Sequence, residues 1–201
     1  MRSAATLLLL CGLALPSSPA AAFDLGAPRT PQAVFGFGGV MTEEDMGRSA
    51  NPFTVDYERR IVLGGGYQHF LHETPRGLQL GMEVGAAVRA IAGLTAELWA
   101  GPVLRHEGIV LFDTLRVAPS FTAALSAVSD AHPGRERELE ARSDGNAHLL
   151  FYLGPEIRLS QADAPEVEAF WRLHHRSGAN GTLGDMRGAM NANVVGLRWR
   201  Y

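Results

Sequence analysis

The sequence predicts an all-β protein, an eight-stranded antiparallel transmembrane β-barrel of the outer-membrane type. Three observations predict it. Apolar and polar residues alternate over segments of strand length, the connections between segments alternate between long and short, and the polar faces carry charges of both signs.

The alternation is clearest in three places. In "GLQLGMEVGAAV", Leu78, Leu80, Met82 and Val84 share one face, and Gln79, Gly81, Glu83 and Gly85 share the other. In "LLFYLGPEIRLS", Phe151, Leu153, Ile157 and Leu159 oppose Tyr152, Gly154, Glu156 and Arg158. The closing "NVVGLRWRY" sets Val195, Leu197, Trp199 and Tyr201 against Gly196, Arg198 and Arg200. Side chains two apart on a strand point the same way, so each segment has one apolar face. Weaker versions near 33–42, 59–71, 94–104, 111–126 and 167–177 complete the eight. The stretch "PGRERELEARSDG" has almost no apolar face and reads as a solvated loop or short surface turn rather than a packed helix.

Connections near 43–57, 128–146 and 178–191 are long and polar, whereas those near 72–77, 105–109 and 160–166 are short. Only the one near 90–93 departs from the pattern. Short turns on the periplasmic side and long loops outside are the build of outer-membrane barrels. The polar faces carry Glu83, Glu97, Arg116, Glu156, Arg158, Arg172, Arg198 and Arg200. An eight-stranded barrel is just wide enough for side chains to fill it, so these charges are expected to pair inside as a plug. A soluble lipocalin-like barrel, with the apolar face inward, shares the same periodicity.

The N-terminus argues for export. One basic residue, Arg2, precedes an apolar run from Ala4 to Leu15, then Pro-Ser-Ser, then Ala20, Ala21 and Ala22. This is the pattern of a signal peptide over residues 1–22, cleaved before Phe23; the run is short of the roughly 20 residues of a membrane-spanning helix. Residues 23–201 then form a single barrel domain. The one cysteine, Cys11, leaves with the signal, which excludes disulfides and thiolate chemistry from the mature chain. The 18 basic residues are all arginine, face 21 acidic ones for a net charge of −3, and form no concentrated patch of the kind nucleic acid requires.

The candidate site lies at the end of the seventh strand, "FWRLHHRSGANG". Arg172 and Arg176 belong in the lumen, because charge against lipid is costly. Trp171, Leu173, His175 and Ser177 therefore face outward, next to a long external loop. A serine hydroxyl becomes a nucleophile when an imidazole takes its proton and a third group orients that imidazole. His175 and Ser177 share a face at the level where the outer leaflet holds its acyl esters. Activity should need neutral His175 and fall at acidic pH, near the ~6.5 of an unperturbed imidazole. No metal or other cofactor is called for.

At these residues the chain resembles the lipid A 3-O-deacylases, the acyloxyacyl hydrolase family of Gram-negative outer membranes. "HRSGANG" is similar to that family's His-x-Ser-Asn-Ala-Gly stretch, "RGAMNAN" stands where its Glu-bearing stretch should be, and "VVGLRWRY" is similar to its last strand. "APSFTAAL" and "HLLFYLGPEIRLS" also look like family strands. The resemblance covers the last hundred residues by motif and the first eighty by architecture. It implies hydrolysis of an ester-linked acyl chain on lipid A of lipopolysaccharide, with Ser177 as nucleophile and His175 as general base. It also implies Asn180 and Gly181 as the nearest match for the oxyanion donors. The final aromatic, Tyr201, looks like the signal read by the outer-membrane assembly machinery. Two departures stand out. The Asn after the family's Ser is Gly178 here, and where the orienting Glu is expected stand Ala189, Met190 and Asn191. Asn193 or Asp185 is therefore expected to orient His175. The alternative is a catalytically inactive barrel, structural or adhesive through its loops; the sequence is silent on oligomeric state.

Overall fold

In the computed structural model, which describes residue 28 and residues 30–201, the alternating segments become the staves of a closed barrel. The long strands are β1 (Gln32–Thr42), β2 (Tyr57–Glu73), β3 (Leu78–Ala90), β4 (Thr95–His106), β6 (Leu115–Val128), β7 (Leu149–Gln161), β8 (Val167–Ser177) and β9 (Ala189–Arg200). A three-residue β5 (Ile109–Leu111) extends β4 along the foot of β6. Each long strand pairs antiparallel with its sequence neighbour, β1 pairs with β9, and β4 pairs with β6, so the ring of eight has no open edge. The seam is tied at its foot by Tyr201, whose N–H donates to Gln32 O at 2.9 Å while Gln32 N–H donates to Tyr201 O at 3.1 Å. The proposed signal peptide lies outside the described residues.

The barrel is inside-out relative to a soluble one. Leu80, Met82, Val84, Leu98, Val195, Leu197 and Trp199 are exposed on the outer wall, while Glu83, Glu97, Glu156, Arg158, Arg172 and Arg198 are buried inside. That excludes the lipocalin-like arrangement. No helix among the described residues is long and apolar enough to cross a membrane; the spanning elements are strands.

The interior is filled in layers. At mid-height Arg172 donates from Nη1 to Glu83 at 2.7 Å and from Nε to Glu156 at 2.8 Å, and Arg198 donates to both oxygens of Glu156. Trp99 Nε1–H, Thr122 and Gln68 supply further donors to Glu83. Gly85 makes room for this layer, since a Cβ there would lie 2.1 Å from the Trp99 ring. Nearer the foot Glu168 gathers Arg105, Arg158, Arg198 and Arg200. Nearer the top Arg89 and Arg176 both pair with Glu97 and Glu136.

Glu136 corrects the reading of residues 134–145 as a solvated loop. Arg135–Ser143 form a helix, α2, lying over the mouth on the long-loop side. Its inward surface is one carboxylate and one leucine: Glu136 reaches down to the lumen arginines, and Leu139 packs with Ala131, Ala147, Leu150, Met186 and Met190. A helix anchored by an ion pair leaves no apolar stripe for periodicity to find. A second short helix, α1 (Met46–Ser49), sits in the 43–56 loop. The reading of 111–126 as one strand is likewise refined, because Phe112 and Asp113 turn left-handed (φ 53° and 57°) and split β5 from β6. With the lumen packed and α2 capping it, the protein should show no stable single-channel current in a planar bilayer; sizeable steady currents would mean that the interior opens.

Candidate functional site

Strand β8 ends in Leu-His-His-Arg-Ser, and its alternation separates the two histidines. His174 points into the lumen, where its Nε2 meets Glu97 at 3.0 Å and its ring packs against Trp99, Tyr152 and Phe37. His175 and Ser177 are on the outer face, as expected. The β8–β9 hairpin sets their partners: Ser177 lies opposite Ala189, His175 opposite Asn191 and Leu173 opposite Asn193. Directly opposed side chains on one face of an antiparallel pair lie about 5 Å apart at Cβ. The residue that can touch His175 from β9 is thus Asn191.

It does so. His175 Nε2 stands 3.1 Å from Ser177 Oγ, and His175 Nδ1 stands 2.6 Å from Asn191 Oδ1. The nitrogen of the same amide, Asn191 Nδ2, donates to the backbone carbonyl of Glu44 at 2.8 Å. A carbonyl only accepts, so the NH2 of Asn191 must face Glu44 and its oxygen must face His175. Nδ1 then carries the imidazole proton, and in the neutral ring Nε2 turns its lone pair to the Ser177 hydroxyl. This is the arrangement of nucleophile, base and orienting group, with an amide in the third place.

The expected orienting residues do not take that place. Asn193 shares the outer face but sits one pair farther down the strand, accepting from Trp171 Nε1 at 3.0 Å and donating to Ser49 O at 3.1 Å. Asp185 is an exposed loop residue with φ 52°, and no hydrogen bond joins it to His175. The oxyanion candidates fare differently from each other. The N–H of Gly181 is already given to Met186 O at 2.9 Å, which withdraws it as a donor. Asn180 is exposed in a left-handed turn beside Ala179, φ 60° and 47°, and makes no hydrogen bond to Ser177. Gly178 lets the turn close on itself, since a Cβ there would stand 2.4 Å from Met186 O and 2.5 Å from Leu183 O.

The site is not bare to its surroundings on the outer face. The 43–56 loop folds down the outside of β9, so His175 is only 4% exposed, while Ser177 at the rim is half-buried. The polar groups therefore meet polar protein rather than hydrocarbon, which removes most of the cost of placing them there. Among the described residues no cluster of His, Cys, Asp or Glu could hold a metal ion.

The chain matches no protein-family model and no curated protein. Among solved structures it is similar to the outer membrane enzyme PagL, with a TM-score of 0.54 at 17% identity over 83% of this chain and 98% of that one. Ail of Yersinia pestis aligns with a TM-score of 0.40 at 11% identity, over 86% of this chain and 99% of that one. OprG from Pseudomonas aeruginosa aligns with 0.36 at 9%, over 87% and 98%. At such identities the PagL likeness carries the fold: this chain is an eight-stranded barrel of outer-membrane type.

Proposed function

We propose that the protein is an outer-membrane ester hydrolase that removes an ester-linked acyl chain from lipid A, using Ser177, His175 and Asn191. The observation that carries this reading is the outward-facing chain of two hydrogen bonds from Asn191 through His175 to Ser177 at the external rim. Two further features support it. A barrel with its long loops outward would bring this rim to the level of the glycolipid acyl esters of the outer leaflet, and "HRSGANG" resembles the lipid A deacylase stretch.

In this mechanism Ser177 Oγ attacks the ester carbonyl carbon while His175 Nε2 takes the hydroxyl proton. The tetrahedral intermediate collapses to an acyl-serine, and His175 returns its proton to the departing sugar hydroxyl. Water, deprotonated by the same nitrogen, then frees the fatty acid. Asn191 holds the ring throughout but brings no negative charge to the imidazolium. Export by the N-terminal signal and insertion by the outer-membrane assembly machinery through Tyr201 belong to the same proposal.

Refolded protein incubated with lipid A in mixed micelles tests the activity. Mass spectrometry should show loss of one ester-linked fatty acid without added metal or cofactor. Unchanged lipid A would leave the structural or adhesive barrel as the better reading.

A further inference from the structure

An amide in the third place of a triad carries a hazard that a carboxylate does not. A flipped amide presents NH2 to Nδ1 and stabilises the other tautomer, with the proton on Nε2 where the base should be. In serine-protease triads an Asp-to-Asn exchange costs about 10^4 in rate for this reason. The Asn191 flip is therefore a point on which catalysis turns, and the acceptor that fixes it, Glu44 O, belongs to a loop rather than to the barrel.

The loop is fastened from above by Arg135, whose Nη1 donates to Glu43 O at 2.6 Å, and from within by Ser49. Ser49 is wholly buried, and its hydroxyl reaches Glu44 O at 3.3 Å and Thr42 Oγ1 at 2.8 Å. Its own carbonyl accepts from Asn193 Nδ2 at 3.1 Å, and Asn193 is in turn held by Trp171 Nε1. The β1–β2 register shifts between Val40 and Thr42, where residues 58–60 of β2 stand against Met41 alone, and Thr42 pairs with Asn191 across the seam. The contacts close a ring from Asn191 to Glu44, Ser49, Asn193 and back along β9.

We propose that the 43–56 loop is a latch: docked through Ser49 and Asn193, it fixes the flip of Asn191 and thereby holds His175 in the tautomer that can act as a base. The inference rests on the reading of His175 and Ser177 as base and nucleophile. Ser49 and Asn193 are positioning residues, touching neither the reacting atoms nor His175. A site whose tautomer depends on a docked external loop is competent only while the loop is seated.

Two variants, Ser49→Ala and Asn193→Leu, test this in refolded full-length mature protein, with heat-modifiable migration as the check on folding. Deacylation of lipid A should fall about 100-fold in kcat with little change in KM, because misalignment of the base slows chemistry rather than binding. The double variant should lose little more than either single one, since both act through one ring of contacts. The direct readout is 15N NMR of histidine-labelled protein: His175 should be the Nδ1–H tautomer in the wild type and mixed or Nε2–H in the variants. If both variants keep wild-type kcat and tautomer, the latch is overturned and the hydrolase stands. If the wild type is inactive while its tautomer still depends on Ser49, the latch stands and the hydrolase falls.

Discussion

Ser177→Ala and His175→Ala are each expected to reduce acyl release from lipid A by on the order of 10^4 or more, the scale seen when a nucleophile or its base is removed from a triad. Both variants should stay folded, because neither side chain joins the ion pairs of the lumen and both sit at the outer rim. His174→Ala separates the two faces of β8. It loses the contact to Glu97 and some stability, yet should retain most of the activity, because its side chain projects away from Ser177. Rates are measured on refolded protein at saturating lipid A. Equal loss from His174 and His175 would contradict the assignment of faces.

Arg172→Ala is expected to cost about 3–5 kcal/mol of stability, the range for stripping one partner from a buried ion pair. Arg172 is fully buried and makes its contacts at once to Glu83, Glu156 and the Tyr152 hydroxyl. Its guanidinium also lies over the rings of Phe35 and Phe170, at 5.0 and 5.6 Å. Without it Glu83 keeps Gln68, Trp99 and Thr122 as donors but has no cation beside it, whereas Glu156 retains Arg198. Glu83 is thus the group left uncompensated, and adding Glu83→Gln to Arg172→Ala should recover part of the loss. Urea titration of the folded band in lipid or detergent measures both. A loss under about 1 kcal/mol would mean that the lumen charges are solvated rather than paired.

The barrel was legible in the sequence because its rule is local. Every second residue is apolar over 78–90 of β3, 149–159 of β7 and 195–199 of β9, and the arginines and glutamates between them suit an interior that pairs them. The same parity assigned His175 and Ser177 to the outer wall. What parity could not supply was register. Asn191 and Asn193 share a face, and only the Ser177–Ala189 pairing that starts the last hairpin puts Asn191, not Asn193, opposite His175. Counting inward from a hairpin of known loop length would have selected it; the loop length was the missing quantity. The helix α2 escaped for a related reason, since Glu136 is held by Arg89 and Arg176 from strands distant in sequence. The part played by Glu44 was invisible in principle, because a backbone carbonyl carries no side-chain signature.

The most direct test of the whole account is the mass of lipid A from Gram-negative cells expressing the wild-type chain, Ser177→Ala or His174→Ala at equal levels in the outer membrane. The account predicts lipid A lighter by one ester-linked acyl chain with the wild type, largely the same with His174→Ala, and full-mass lipid A with Ser177→Ala. Full-mass lipid A from the wild type, or the same lighter species from Ser177→Ala, would contradict it.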